Sequence, residues 1–423
     1  MSGAAAGRRV TGGDDVVEVA VSSYAQARDA LRSKDLRQAL YDEGDVVMSD
    51  VLVNLHGAEH RARRRLENRL FRKDTHRRYE HESFPPVVAA TLEPHVAAGH
   101  AELVTLSHEM MMNLAAFTAG VDRPRGTRDE TLHLYSYLML FIQGATLAHF
   151  TGDREAKRAE VAAGLAAFDA EFLAPSVARR RALLDDVEAG SLDPEALPRD
   201  VLCTLMSHED ELRLPDDVVL REICFFLLAG AHTSATAFVR TFHHVVAMED
   251  DRPEDVERAR TDMVFLQRCV HETVRLQPSS PIASRWALAD VELSDGVLVP
   301  AGARLTIDLM AANRDPVVFG DDAGRFDPHR ELGDGVAPWG LSFGSGMHAC
   351  IGQDLAAGLD PKGRPIDDEH LFGLVPVAVR ALLDAGARPD ALDPPTIDPE
   401  SSRGYWGTYP VVFPGGSSVP GRP

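Results

Sequence analysis

The stretch FGSGMHACIG, residues 343–352, decides how the rest of the chain is read. Gly344, Gly346 and Gly352 surround one histidine, His348, and one cysteine, Cys350. Glycine adopts positive φ without a Cβ penalty and lets backbone come close to a flat ligand. A lone cysteine in such a loop can present its sulfur with backbone N–H groups aimed at it. Those hydrogen bonds, and a nearby metal, favour thiolate over thiol. A Gly-rich turn closing over an ordinary buried cysteine is the competing reading, and the segment alone leaves both open.

The other cysteines, Cys203, Cys224 and Cys269, lie in apolar or helical stretches and read as small buried hydrophobes. No C-x-x-C pair or zinc spacing occurs, and four cysteines in 423 residues do not make a disulfide scaffold. Lys plus Arg is 44 against 65 Asp plus Glu, a net charge of -21. That balance argues against nucleic acid and anionic membrane as general partners. The longest apolar run, ICFFLLAGA at 223–231, is short for a bilayer span and reads as a buried helix. The first residues, MSGAAAGRRVTGGDD, show no apolar leader, so a cytoplasmic protein is expected.

Residues 1–15 and 416–423, rich in Gly, Ser and Pro, read as disordered tails around a single domain over 16–415. VVEVAV at 16–21 reads as a strand, and the helix after it has Ser23 as N-cap. A strongly basic helix is expected from Glu59 to Lys73, and helices over 85–118, 128–150, 216–248, 253–276 and about 370–385. From 287 to 313 short strands and turns replace helical periodicity. GYWGTYPVVF, 404–413, reads as a strand. The balance is mainly α with a minor β region.

HETVR at 271–275 sets Glu272 and Arg275 at i and i+3, facing each other on a helix. The apolar flank FLQRCV distinguishes them from a surface pair of little worth. EHRARRR supplies His60 and Arg64, which composition alone reads as a solvated basic face. AGAHTS, 229–234, PIASRWA, 281–287, and FDPHR, 326–330, are further segments that carry weight.

Together these segments resemble the cytochrome P-450 family. FGSGMHACIG agrees with its cysteine signature, F-G-x-G-x-H-x-C-x-G, at every fixed position. The resemblance implies a P-450 fold with haem b between a long central helix and the cysteine loop. Cys350 would be the axial iron ligand, a thiolate that favours O–O cleavage. His60, Arg64, Arg285 and His348 would meet the propionates, and Phe343, Gly344, Gly352 and Ala229 would pack on the macrocycle. Arg330 would complete a triad with Glu272 and Arg275 that holds the cysteine loop. Thr233 would meet dioxygen from a locally opened turn of the central helix, although an isolated helix Thr ordinarily bonds back to a carbonyl one turn earlier.

Three features depart from the family. His232 stands where an acid usually precedes the Thr, and imidazole with its usual pKa of about 6.5 is a possible proton relay there. The N-terminal region is short. Gly358, Pro361 and Pro365 break the helix expected after Cys350, so a surface insertion over 358–370 is expected on the cysteine side.

The implied activity is monooxygenation of a small organic substrate, a bacterial natural-product intermediate, by haem with electrons from a separate ferredoxin or flavodoxin. That acidic partner would dock near Arg61, Arg65, Arg69 and Arg72. Phe226, Ile282, Ala283 and the stretch YSYLMLFIQ, 135–143, would line an apolar pocket. A peroxide-driven enzyme and a non-catalytic haem sensor or carrier are the alternatives.

Overall fold

A computed structural model describes residues 10, 11, 16–361, 366, 367, 369–399, 401 and 403–414. Its main helices are α1 (Tyr24–Arg32), α2 (Gly57–Glu67), α3 (Lys73–Arg78), α4 (Phe84–Ala98), α5 (Leu103–Ala119), α6 (Arg128–Ala145), α7 (Arg154–Phe168), α8 (Ala174–Glu188), α9 (Asp216–Ala247), α10 (Pro253–Thr261), α11 (Met263–Leu276), α12 (Gln353–Ala357) and α13 (Leu374–Asp384).

The strands are β1 (Val10–Thr11), β2 (Val17–Val21), β3 (Leu36–Gln38), β4 (His100–Glu102), β5 (Ile282–Ala287), β6 (Val291–Leu293), β7 (Val297–Val299), β8 (Arg304–Asp308), β9 (Arg388–Pro389), β10 (Thr396–Ile397), β11 (Trp406–Thr408) and β12 (Pro410–Val412). The principal sheet has the order β1-β2-β8-β5-β3, with β2 and β8 parallel and the other pairs antiparallel.

Helix α9 runs through the middle. Apolar residues lie all round it, as expected of a helix that meets partners on several sides. Phe238, Phe242 and Val245 pack with α4, α5, α11 and α13 in one core, while Ile223, Leu227 and Ala231 join α5, α6 and α7 in another. Each large apolar side chain buried there contributes about 1.5–3 kcal/mol. A third core joins the principal sheet to α1. Ser23 caps α1 as expected, its hydroxyl accepting the Gln26 N–H at 3.3 Å. Two helical stretches, Arg154–Glu188 and Asp216–Ala247, are long and apolar enough to cross a membrane by length and composition; the second is the core helix α9.

Several expectations need correction. Val10–Thr11 is not a disordered tail but an edge strand on Glu18 and Val17; residues 1–9, 12–15 and 415–423 lie outside the described residues. The basic helix stops at Glu67, so Arg69 and Arg72 sit in the turn before α3 rather than in one helix to Lys73. The stretch 85–118 is two helices, because Gly99 adopts φ +76° and β4 intervenes. The C-terminal strand is two, β11 and β12.

The expected insertion after Cys350 is present and its neck is tightly built. Helix α12 ends at Gly358 (φ +75°) and α13 begins after Gly373 (φ +91°). A Cβ on Gly373 would lie 2.3 Å from the Gly358 nitrogen, so the two ends of the insertion touch. The carbonyls left by the broken helix are satisfied by side chains, as buried backbone requires. Gln267 donates Nε2–H to the oxygens of Ala357 and Leu359, and His271 Nε2 lies 2.8 Å from Ala357 O. Glu80 accepts the N–H groups of Phe372 and Gly373, both at 2.9 Å.

Candidate functional site

One internal cavity gathers the residues singled out by motif. Cys350, His348, Phe343, Gly344 and Gly352 line it from the cysteine loop, and Phe226, Ala229, His232 and Thr233 line it from α9. His60 and Arg64 of α2, with Ile282, Ala283 and Arg285 of β5, close the sides. Of the stretch 135–143 only Ile142 reaches the cavity; Leu138 and Phe141 are core.

The other three cysteines are buried, while Cys350 is exposed and lines this cavity. Burial pushes its thiol pKa up. The N–H groups of Gly352 and Gln353 and the Arg64 charge oppose that rise. The loop is held by the Cys350 N–H bond to Phe343 O at 2.8 Å. Gly344 is at φ +69°, where a Cβ would press on the His348 carbonyl at 3.2 Å, so glycine serves there through both its conformation and its size.

The rim is cationic. Arg64 donates to Ala349 O at 2.9 Å, tying α2 to the cysteine loop. Arg285 is buried and donates to Gln38 Oε1 and Ser284 O. The His60 and His348 rings lie 4.5 Å apart. Burial, then neighbouring positive charge, pushes His60 down to about 4 and His348 to about 3, and burial pushes Arg285 to about 10. His60 Nδ1 and His348 Nε2 are buried without a partner. Buried cationic and N–H groups lacking a carboxylate are costly unless an anion meets them. A haem with its propionates fits this set, with Cys350 placed to meet the iron.

The triad is formed as expected. Arg275, fully buried, donates Nε–H and Nη2–H to Glu272 at 2.6 and 2.7 Å, and Arg330 Nε–H reaches Glu272 Oε1 at 3.2 Å. Asn313, within the quoted AANRDP but not singled out, links it to the cysteine loop. Its Nδ2–H donates to Arg275 O and Ser342 Oγ, and its Oδ1 accepts the Leu341 N–H at 2.7 Å.

Two distal expectations change. Helix α9 is continuous through Thr233, whose hydroxyl donates to Ala229 O at 2.6 Å, the ordinary back-bond of a helical Thr rather than an opened turn. His232 is not poised near neutrality. Burial, then His108, Arg403 and Arg240, lowers it to about 4, and its ring lies edge-on to Tyr405 with Nδ1 unpartnered.

On the basic face Arg61, Arg65, Arg69 and Arg72 are exposed, with Arg69 bonded to His208. Arg63 instead turns inward to Glu222 at 2.6 Å. Nearby Glu67 is buried with both carboxylate oxygens unpartnered, and burial raises its pKa.

A profile of the cytochrome P-450 family matches residues 165–357 and stops where α12 breaks into the insertion. Among curated proteins, cyclooctat-9-en-7-ol 5-monooxygenase of Streptomyces melanosporofaciens is 28% identical over 284 residues, 59% of this chain and 56% of that protein. Cyclomarin C epoxidase of Salinispora arenicola is 29% identical over 283 residues, 65% of each chain. A probable cytochrome P-450 of Drosophila melanogaster is 31% identical over 162 residues, 33% of this chain and 32% of its own. The matched segments thus span from about a third to just under two thirds of these relatives. The fold is that of CalO2, with a TM-score of 0.72 at 19% identity over 97% of this chain and 94% of the other. HmtT, involved in himastatin biosynthesis, gives 0.71 at 21% over 94% and 92%. With its cysteine loop and cationic rim on one cavity and the buried triad bonded to that loop through Asn313, the chain belongs to the cytochrome P-450 superfamily.

Proposed function

We propose that the protein is a haem-thiolate monooxygenase acting on a small, largely apolar organic molecule, with haem b as cofactor and a separate ferredoxin or flavodoxin as electron donor. The observation that carries this reading is the Cys350 sulfur, backed by the Gly352 and Gln353 N–H groups, on a mostly apolar cavity that Ala229 and Thr233 also line. Haem bound there supplies the activation of dioxygen; that chemistry belongs to the cofactor. The chain's own residues orient and exclude. His60, Arg64, Arg285 and His348 hold carboxylates at the rim, Ala229 and Gly230 give α9 a flat wall, and Phe226, Ile282 and Ala283 shield the centre from water.

The names of two relatives, a monooxygenase and an epoxidase, support oxygen transfer to a bacterial natural-product intermediate. The exposed set Arg61, Arg65, Arg69 and Arg72, on a chain of charge -21, supports an acidic electron donor. A cytoplasmic location belongs to the same reading, supported by that acidity and by the core position of α9. The test is turnover under labelled dioxygen with a ferredoxin and its reductase against a panel of apolar substrates. Labelled product supports the reading; product formed only with added peroxide would replace it by a peroxide-driven enzyme.

A further inference from the structure

The cavity holds one cationic side chain that the rim does not use. Arg403 lies in the turn between β10 and β11 and lines the cavity beside His232, Ser279 and Tyr41. Its Nη1 donates to Ser279 O at 3.1 Å and to the Tyr405 hydroxyl at 3.3 Å. Tyr405 in turn donates to the same Ser279 carbonyl at 3.2 Å. Arg240 fixes the backbone, donating to Arg403 O at 2.7 Å while its guanidinium lies 4.9 Å from the centre of the Tyr405 ring. Arg403 is therefore aimed by its anchors and is not a loose surface group.

Its charge has no carboxylate partner among the described residues. Among the described residues neither Arg403 nor Arg240 makes an ion pair, although many other arginines of this chain do. A guanidinium carries five N–H donors and no acceptor. Arg240 spends its donors on the carbonyls of Gln277, Arg403 and Gly404 and does not line the cavity. Among the described residues Arg403 donates through Nη1, and its Nε and Nη2 have no partner there. That pair of donors is the fork that matches a carboxylate bidentately. Polar neighbours complete the corner: the Ser280 hydroxyl bonds Tyr41, and Ser279 Oγ donates to Thr233 O at 3.3 Å. The remaining wall, with Phe71, Leu114, Ile142, Phe225 and Phe226, is apolar.

We propose that Arg403 is an anion subsite for substrate, so that the molecule oxidised is apolar and carries a carboxylate. The pairing fixes the substrate's orientation, because the acid is anchored at one corner and the apolar body is left to lie along the Phe226 wall. Placement of this kind is where much of an enzyme's rate advantage arises. This inference rests on the oxygenase reading but is tested without turnover.

The experiment titrates haem-loaded protein with dodecanoate and, separately, with dodecanol, following the haem spin-state change and the heat of binding by calorimetry. The wild type is expected to bind dodecanoate about 10- to 100-fold more tightly, the range of a hydrogen bond to a charged group. Arg403→Gln should erase that preference while leaving dodecanol binding and haem content unchanged, and Arg403→Lys should restore part of it. Equal affinity of the two ligands for the wild type overturns the subsite without any variant. Loss of haem from Arg403→Gln with the ligand preference intact also overturns it, since Arg403 would then be serving the propionates. Absence of product from oxygen with tight dodecanoate binding would count against the oxygenase reading and leave the subsite standing.

Discussion

Asn313 and Arg275 bond each other twice: the Asn313 side-chain amide donates to Arg275 O at 3.0 Å, and an Arg275 guanidinium N–H donates to Asn313 O at 2.5 Å. Because Asn313 also accepts the Leu341 N–H, the buried triad and the loop leading to Cys350 are one hydrogen-bonded unit. Gly340 permits the approach: a Cβ there would sit 2.3 Å from Asn313 Oδ1. Asn313→Ala strands the Leu341 N–H and the Arg275 carbonyl, each loss costing about 1–3 kcal/mol. A lower melting temperature and faster haem transfer to apomyoglobin are expected; unchanged haem retention would detach Asn313 from the loop.

Removing Glu272 has a larger effect. Arg275 is fully buried, and loss of one partner from a buried pair costs about 3–5 kcal/mol. Glu272→Ala should yield little soluble, haem-loaded protein. Wild-type haem content and melting temperature in that variant would sink the triad.

Acid should weaken the fold through His271. This ring is buried against Ala357 O and Trp339, and burial lowers its pKa to about 4. The unfolded chain then binds a proton below about pH 6.5 that the folded chain refuses until about pH 4, so stability falls as pH falls through that window. By pH 5 the loss is about 1–2 kcal/mol. Denaturant unfolding of wild type and His271→Gln across this window should show the shallower slope in the variant; parallel slopes would contradict it.

His232 is predicted to be a packing residue and not a proton donor. A pKa of about 4 leaves it neutral at working pH, whereas a positioned general acid is worth about 10²–10⁴ in rate. His232→Ala should therefore keep product per NAD(P)H within about threefold of wild type. A fall in the general-acid range would restore the relay.

The motifs were legible because each depends on local chemistry: glycines around Cys350, an i, i+3 pair at Glu272 and Arg275, and cations near His60. What escaped was relational. Asn313 and Gln267 act through carbonyls distant in sequence, and Arg403 reaches the cavity only because a turn folds back onto Ser279. The apparent run of basic residues from Glu59 misled because periodicity does not show that Glu67 ends the helix or that Arg63 turns inward to Glu222. The insertion was visible from Gly358, Pro361 and Pro365, but its clamp by Gln267, His271 and Glu80 was not.

Electron delivery should depend on salt. Exposed charges are screened beyond about 10 Å at about 0.1 M, so reduction by an acidic ferredoxin should slow as salt rises. Arg65→Glu and Arg69→Glu should slow it further with substrate affinity intact. A rate indifferent to salt and to both variants removes this face from the account.

The central claim, that Cys350 ligates haem as a thiolate, is tested most directly by the spectrum of the reduced, carbon-monoxide-bound protein. The wild type and the Cys203→Ala, Cys224→Ala and Cys269→Ala variants are predicted to show the far red-shifted Soret band of thiolate ligation, and Cys350→Ala to lose it. Retention of that band by Cys350→Ala, or its absence from haem-loaded wild type, would contradict the assignment.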